Sequence, residues 1–290
     1  MSENQTPRYN MDTMPLRGRH IWIVIIASAG QFFGGALAIL VGVIAPLIAI
    51  THHPGLSSWL QGFIFSCGLI GIMFGSLFFG RLSDKYGYLF FFRLCPVLIG
   101  GASLWIFFTH SIIALTICLL IIGFAIGGAY ALDPSYVSEI MPKKWRRMML
   151  GVSKATSGLG NILMILVAWY ILKTFSDPGL WNRLFLFLTL FAAVTFLVRL
   201  WFVESPEWLA LHGKVQEAEK NVQHFLGKDV YIGELANKKD QLIQTQISRK
   251  DIFTRGNIKR VVLSGIPWGC EGMGVYGMGS LLRSCYWHWD

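Results

Sequence analysis

Charged residues are scarce in this chain. Asp, Glu, Lys and Arg make up 14% of its 290 residues, while hydrophobic residues make up 54%. A soluble globular domain carries about 25% charged residues, so this composition excludes that class and predicts an integral membrane protein. Acidic residues are fewer than basic ones, which gives the chain a formal net charge of +9. The excess cations flank apolar runs and do not alternate with aromatic residues, so we expect no nucleic-acid partner.

Motifs of enzymes and metal sites are also missing. The sequence contains no H-E-x-x-H, no G-x-S-x-G and no Walker loop, so we predict neither enzyme activity nor a cofactor. Gly272-x-Gly274-x-x-Gly277 matches a dinucleotide fingerprint, but no strand–turn–helix context precedes it, and a glycine-rich membrane span explains it better. The 5 cysteines form no C-x-x-C, which favours packing residues over a metal site or disulfides.

Long apolar runs dominate what is present. A membrane span takes about 20 residues. We predict spans at 21–50, 59–79, 89–109, 112–132, 149–172 and 183–203. Pairs of small residues four positions apart recur in these runs and predict a closely packed helical bundle. After the sixth span, Ser205 and Pro206 suit the N-cap and first position of an amphipathic helix over 206–226, with further short helices expected in the polar stretch 229–258.

The distribution of Lys and Arg predicts an orientation. Cations are concentrated in the segment 1–20 and in the breaks after the second, fourth and sixth predicted spans, and they are nearly absent from the other breaks. The positive-inside rule therefore assigns 1–20 and the loop 204–258 to the cytoplasm, with 21–203 as the membrane bundle. The stretch 259–290 begins a seventh apolar run, does not complete it, and ends in an aberrant tail after Gly279 that resembles no helix end.

A polar stretch between the second and third spans is the most distinctive local feature. We interpret residues 80–87 as a tight hairpin bounded by glycines. The stretch resembles the signature loop of the major facilitator superfamily, G-x-L-x-D-[RK]-x-G, through Gly80, Leu82, Asp84, Lys85 and Gly87. Two further motifs resemble the sugar-porter-like and metabolite–proton symporter branch of that superfamily, through Glu139, Pro142 and Arg146 and through Glu204, Ser205, Pro206, Trp208 and Leu209.

This resemblance implies a fold and a function. The chain is similar to the N-terminal half of a twelve-span transporter: an all-α six-helix bundle with cytosolic loop helices and an incomplete seventh span. The implied activity is secondary transport of a small polar metabolite, a sugar or an organic acid, with protons as a candidate co-substrate. Such transporters rock two halves around a central site, so we expect a truncated, inactive form in the plasma membrane, the bacterial inner membrane in particular. The alternative is a non-transporting membrane protein that dimerises or binds a full-length transporter.

The resemblance also assigns residues to gating. The candidates are Gly80, Arg81, Asp84, Lys85, Gly87, Glu139, Arg146 and Glu204. Asp84 would help to latch the cytoplasmic side. Where the motifs carry basic residues, this chain has Tyr88, Leu89 and Glu207, so its three acidic motif residues would lack cations unless Arg81, Arg93, Arg146 or Arg147 substitute. Related symporters carry an Asp in the first span, near the position of Gly34.

Four residues are candidates for substrate contact. Gln31 and Asn161 are polar, lie in mid-span beside glycines, and can serve either a substrate or an interhelical hydrogen bond. Tyr130 can line a pathway or belong to the aromatic core. Asp133 is either a solvated helix end or a gating and coupling group.

Overall fold

A computed structural model describes residues 9–51, 58–109, 111–175, 181–232 and a few helical positions from 257 to 270. The chain divides into two compact units, residues 1–236 and 237–290. Most of the stretch 259–290 lies outside the described residues, as do the Gly272–Gly277 fingerprint and most of 229–258. The predictions made for those segments therefore stay predictions.

Helices account for nearly all described residues of the first unit. They are α1 (Gly18–Ala27), α2 (Ala29–Thr51), α3 (Ser58–Tyr86), α4 (Tyr88–Phe108), α5 (Ile112–Ile140), α6 (Arg146–Phe175), α7 (Arg183–Arg199), α8 (Pro206–Leu211) and α9 (Val215–Leu226). Two short strands, β1 (Tyr9–Asn10) and β2 (Val230–Tyr231), pair in parallel. The sequence did not predict these strands.

Five of the described helical segments are long and apolar enough to cross a membrane. They are Gly18–Ile44, Gly62–Tyr86, Tyr88–Phe108, Ile112–Ile140 and Arg146–Thr174. The protein is therefore an all-α, multi-pass integral membrane protein. The predicted count of six is not confirmed, because α7, with 17 residues, is shorter than the roughly 20 that a span takes.

The polar stretch 80–87 is not the predicted hairpin. Residues 80–86 form the last turns of α3, and Gly87 alone connects α3 to α4, with a φ of 96° that a residue with a side chain rarely adopts. Arg81, Leu82 and Lys85 are good helix formers, so nothing in this stretch ends the helix before Tyr86. Hydropathy marked the edge of the apolar run and not the end of the helix. For the same reason α5 continues to Ile140, beyond the predicted boundary at 132.

Small residues bring α3 and α5 into backbone contact. A Cβ added to Gly71 or Gly75 of α3 would overlap the backbone of α5, and one added to Gly123 or Gly127 of α5 would overlap the backbone of α3. Such contacts let helices associate in lipid, where there is no hydrophobic drive between them. The prediction that these glycines pack a helical bundle is confirmed.

One end of the bundle, here called the basic end, carries Arg17, Lys85 and Lys143. There the Ser205 Oγ accepts a hydrogen bond from the Trp208 N–H at 3.2 Å, which confirms the predicted N-cap. The single helix predicted over 206–226 is wrong, because the chain turns between α8 and α9 at Gly213, where φ is 81°.

The segment before α1 also packs at the basic end. The Arg17 guanidinium forms an ion pair with Asp229, beside the β1–β2 pairing, and donates to the Leu226 carbonyl at 2.9 Å. The hydrogen bond from Arg17 lowers the pKa of the Asp229 carboxyl below its usual range. Asp12 forms an ion pair with Lys143 at 2.9 Å, in the connection between α5 and α6. These contacts tie the N-terminal segment to two loops of the same unit.

Candidate functional site

The first membrane segment is interrupted between α1 and α2, and a buried ion pair lies at the break. Arg199 of α7 and Asp133 of α5 are 2.9 Å apart, with side-chain exposures of 1% and 0%. Arg199 also donates to the Ala27 carbonyl at 3.2 Å, where α1 ends. Asp133 accepts from the Gly30 N–H at 2.8 Å, where α2 begins. The ion pair therefore forms hydrogen bonds with a backbone group on each side of the break, the last carbonyl of α1 and an N–H in the first turn of α2.

The charges suit these two helix ends. A helix carries partial negative charge at its C-terminus and partial positive charge at its N-terminus, so the cation lies at the end of α1 and the anion at the start of α2. The guanidinium carbon of Arg199 also lies 3.6 Å from the centroid of the Phe92 ring. The interpretation of Asp133 as a solvated helix end is wrong, because its side chain is fully buried. The sequence-based prediction did not single out Arg199, although an Arg inside an apolar run is a functional suspect in membranes.

Three of the four substrate candidates lie where α2, α5 and α6 meet. A Cβ on Gly34 would overlap the Tyr130 hydroxyl of α5, and one on Gly35 would lie 3.0 Å from the Asn161 Oδ1 of α6. Successive residues of a helix are about 100° apart around its axis. Gln31 therefore lies on the same face of α2 as Gly34 and Gly35, at an angle between those of the two glycines. The structure thus brings Gln31, Tyr130 and Asn161 to one region, while Asp133 lies in the ion pair next to it.

A lysine that sequence reasoning missed belongs to the same region. The Lys154 Nζ of α6 lies 5.7 Å from the centroid of the Tyr130 ring, so the contact joins α5 to α6. We call Gln31, Tyr130, Ser153, Lys154 and Asn161 the polar face. Its signal in the sequence was a single Lys within the apolar run of α6, the kind of ionisable residue that marks function in membranes.

The polar face contains buried oxygens without protein partners. Among the described residues, the Gln31 Oε1, the Ser153 Oγ and the Asn161 Oδ1 have no hydrogen-bond partner. Gln31 is 2% exposed. An unsatisfied buried polar group costs about 1–3 kcal/mol, so a ligand that supplies hydrogen bonds would be favoured here.

The motif residues at the basic end have different partners from those expected. The Glu204 carboxylate accepts the backbone N–H groups of Tyr88 at 2.8 Å and Leu89 at 3.1 Å, at the N-terminus of α4. Glu139 accepts the hydroxyl of Ser205. In the described part of the chain, no arginine forms an ion pair with either acid.

The arginines proposed as substitutes act elsewhere. Arg93 donates to the carbonyls of Leu200 at 2.8 Å and Phe202 at 3.0 Å, just past the end of α7. Arg146 forms an ion pair with Asp12 at 3.7 Å. The substitution hypothesis is therefore wrong for Arg93 and Arg146, and backbone groups and a hydroxyl satisfy the two acids instead.

The remaining motif residues lie close together at the end of α3. Arg81, Asp84 and Lys85 are exposed, and the Trp208 Nε1 donates to the backbone carbonyl of Asp84 at 3.1 Å. A Cβ on Gly87 would meet the Glu204 carboxylate. The structure therefore brings the end of α3 against Glu204 and α8, while the Asp84 carboxylate faces outward.

Two grooves open on the surface near α7. One, of about 420 Å³, includes Leu89, Arg93 and Glu204 in its lining. The other, of about 270 Å³, includes Arg19 and Trp22. Neither is lined by the polar face.

Glu204 offers a test of the basic end. We expect Glu204→Ala to destabilise the fold by about 1 kcal/mol, because it removes the carboxylate that caps α4. Thermal unfolding can be followed by labelling Cys67, Cys95 and Cys118, which are buried and free. Cys270 and Cys285 are first replaced by serine. Glu217→Ala is the control, since its pair with Lys214 is exposed and should change the midpoint little. Equal effects of the two variants would contradict the capping role.

Comparison with known proteins decides the family. The family profile described as "Sugar (and other) transporter" matches residues 2–270. The chain belongs to the sugar (and other) transporter family. The family consists of membrane transporters and not enzymes, which agrees with the absence of enzyme motifs.

Relatives and solved structures of this family extend beyond the present chain. The inner membrane metabolite transport protein YgcS of Escherichia coli is 27% identical over 265 residues, covering 91% of this chain and 58% of YgcS. The arabinose-proton symporter of E. coli is 30% identical over 216 residues, covering 74% of this chain and 44% of the symporter. The major facilitator superfamily proton:xylose symporter XylE shares the fold with a TM-score of 0.69 at 20% identity, covering 78% of this chain and 54% of XylE. The chain thus spans about half the length of these relatives. The expected resemblance is confirmed, because the profile assigns the chain to the sugar transporter family and the proton:xylose symporter shares its fold.

Proposed function

We propose that this chain forms one half of a secondary transporter that moves a small polar metabolite, a sugar or an organic acid, together with protons. The observation that carries the proposal is the polar face, where half-buried and buried polar side chains of three membrane helices meet. Support for proton coupling comes from the arabinose-proton symporter and from XylE, described as a proton:xylose symporter. The basic end faces the cytoplasm in this proposal, because cations are retained on that side.

The two halves of such a transporter rock around a site at the bilayer midplane. In this chain the polar face would supply one wall of that site. The exposed Asp84 would meet the other half at the basic end and hold that side closed. The Asp133–Arg199 pair would be the proton-sensitive group, since it joins a buried carboxylate to the break in the first span.

A transport assay tests this function. Two proteins are reconstituted separately into liposomes with an inward proton gradient. The first is residues 1–290, and the second is the product of the same gene with whatever coding sequence follows. Labelled sugars and organic acids are then supplied. We expect the shorter chain to bind without accumulation, because alternating access needs two halves. The longer product is expected to accumulate one compound in a manner abolished by a protonophore.

Two outcomes would contradict parts of the proposal. Accumulation by residues 1–290 well above that of empty vesicles would exclude the interpretation that this chain is one half of a transporter and inactive alone. Crosslinking would then test whether two copies of the chain associate. Failure of the longer product to accumulate any compound would exclude secondary transport of this substrate class.

A further inference from the structure

We propose that the groove between α1, α7 and α9 binds an anionic phospholipid, with the phosphate of its headgroup at Arg19 and His224 and its acyl chains along α7. This is the smaller of the two surface grooves, with a volume of about 270 Å³. The ligand is a lipid and not the transported substrate, so the inference goes beyond the proposed transport function and does not depend on it.

The groove is built from three elements that are packed against each other. Ile23 of α1 and Phe202, just past the end of α7, are the buried part of its lining. The Phe202 ring packs edge-to-face on Phe225 of α9, with the ring centroids 5.7 Å apart. Because these contacts join the three elements, the groove is part of the fold and not a gap at a loose surface.

Two exposed tryptophans place the groove at the surface of the membrane. Trp22 of α1 and Trp201 line it, and they are 67% and 81% exposed. Tryptophan is enriched at the level of the lipid headgroups, because its ring is apolar and its N–H is polar. Arg19 lies one turn before Trp22, on the side of the basic end. The groove therefore opens where headgroups and the first part of the acyl chains surround the protein.

The outer face of α7 continues the groove toward the middle of the membrane. Val198 belongs to the lining, and Val194 and Leu197, which precede it on α7, are exposed. Ligand sites usually have volumes of about 300 Å³ or more. A groove of about 270 Å³ can therefore hold the glycerol-phosphate part of a lipid, while the acyl chains extend over α7.

The polar part of the lining suits a phosphate. Arg19 and His224 are both exposed, and no acidic residue belongs to the described lining of this groove. Among the described residues Arg19 forms no ion pair, and its Nη1 donates at 3.5 Å to the Phe225 carbonyl. The guanidinium has five N–H donors in a fork that matches phosphate geometry, and a histidine ring offers an N–H in either tautomer. Most of these donors are available to a ligand.

The acidic residues closest along the chain have partners of their own. Asp229 forms an ion pair with Arg17. Glu217, two turns before His224 on the same face of α9, lies 3.8 Å from Lys214. Neither carboxylate therefore leaves an uncompensated negative charge beside the groove.

Two further cations surround His224. Lys220 lies one turn before it on α9, Lys228 follows the end of that helix, and both are exposed. Glu219 is about 140° away from His224 around the axis of α9. Basic residues at a membrane surface attract anionic lipids. A zwitterionic lipid would bring an ammonium group that finds no carboxylate in the groove, so an anionic headgroup is favoured.

Lipid binding to purified residues 1–290 in detergent tests the inference. The probes are dioleoyl phosphatidylglycerol, dioleoyl phosphatidylethanolamine and dioleoyl phosphatidylcholine, which share their acyl chains. Native mass spectrometry counts the lipid molecules that the protein retains. We expect a single phosphatidylglycerol to be retained at a concentration about fivefold or more below that needed for the other two. Bound phosphatidylglycerol should also raise the unfolding midpoint in the thiol-labelling assay.

Charge variants assign this preference to the groove. Arg19→Gln is expected to weaken retention of phosphatidylglycerol about fivefold, and Arg19→Lys to keep most of it. The matched control is Arg147→Gln, which removes an exposed arginine near the start of α6, outside the lining, and should leave the preference unchanged. His224→Glu adds a negative charge to the groove and should weaken retention while Arg19 stays in place. It supplies a second test if Arg19→Gln does not fold.

Fluorescence quenching locates the bound lipid. Acyl chains that carry bromine quench the tryptophan rings they touch, so brominated phosphatidylglycerol is expected to quench more than brominated phosphatidylcholine at the same molar fraction. Trp22→Phe should reduce that difference, because Trp22 lines the groove. Trp169→Phe removes an exposed tryptophan of α6 and should leave the difference unchanged.

Several results would overturn the inference. Equal retention of the three lipids would exclude a preference for an anionic headgroup. Equal losses in Arg19→Gln and Arg147→Gln would show that net charge alone attracts the lipid. Displacement of phosphatidylglycerol by an equal concentration of glycerol 1-phosphate would indicate a site for free phosphate compounds. Transport by the longer product is measured separately, so each of these results leaves the proposed function standing.

Discussion

Arg199→Met is expected to destabilise the bundle by about 3–5 kcal/mol, since it leaves the buried Asp133 carboxylate without its cation. The same change removes the donor to the Ala27 carbonyl at the end of α1. The thiol-labelling assay measures the shift in the unfolding midpoint. Arg147→Met is the matched control, because Arg147 is exposed near the start of the membrane helix α6 and has no buried partner among the described residues.

A double variant separates the ion pair from its surroundings. We expect Asp133→Asn with Arg199→Met to be less destabilising than the sum of the two single changes by about 1–3 kcal/mol, because the second change removes the uncompensated charge. Additive effects would mean that the two side chains act independently, in spite of their 2.9 Å separation.

The single variant Asp133→Asn distinguishes a structural role of Asp133 from a role in proton coupling. The Asn side chain of Asp133→Asn can still accept the Gly30 N–H, so the break between α1 and α2 is expected to keep that hydrogen bond. In the longer product we expect this variant to lose accumulation driven by a proton gradient but to keep exchange of labelled for unlabelled substrate. Unchanged gradient-driven accumulation would exclude Asp133 as the coupling group.

Gly123→Ala is expected to be strongly destabilising although it adds one methyl group. The new Cβ would overlap the backbone of Gly68 in α3, where no side chain can rotate away, so α3 and α5 would have to separate. Overpacking costs about 1–3 kcal/mol, and separation of two helices along their length costs more. The unfolding midpoint measures the effect.

Gly158→Ala is the matched control for this glycine. Gly158 lies in α6, and a Cβ added there would meet nothing within 4 Å, so alanine should be neutral or stabilising by about 0.5–1 kcal/mol. The same chemical change is thus expected to have opposite signs at the two positions. A similar effect at both would show that helix propensity, and not interhelical contact, governs these glycines.

Hydropathy predicted the membrane class and most of the spans, but it misplaced helix ends. Hydropathy detects residues that prefer the bilayer, and a helix can continue into water if its backbone hydrogen bonds remain. α3 therefore runs through Arg81 and Lys85 to Tyr86, and α5 runs through Glu139 to Ile140. The cap at Ser205 was predictable because its hydrogen bond is local, to the N–H three residues on.

The sequence by itself determined the membrane class, the small residues that pack α3 on α5, the local cap at Ser205 and three of the five residues of the polar face. Tertiary structure decided which distant groups meet: Asp133 with Arg199, Tyr130 with Lys154, and Glu204 with the N-terminus of α4. Local patterns depend on neighbours along the chain, so they can be recognised in a sequence. A buried ion pair depends on which faces of α5 and α7 turn toward each other, and that follows only from the packing of the whole bundle.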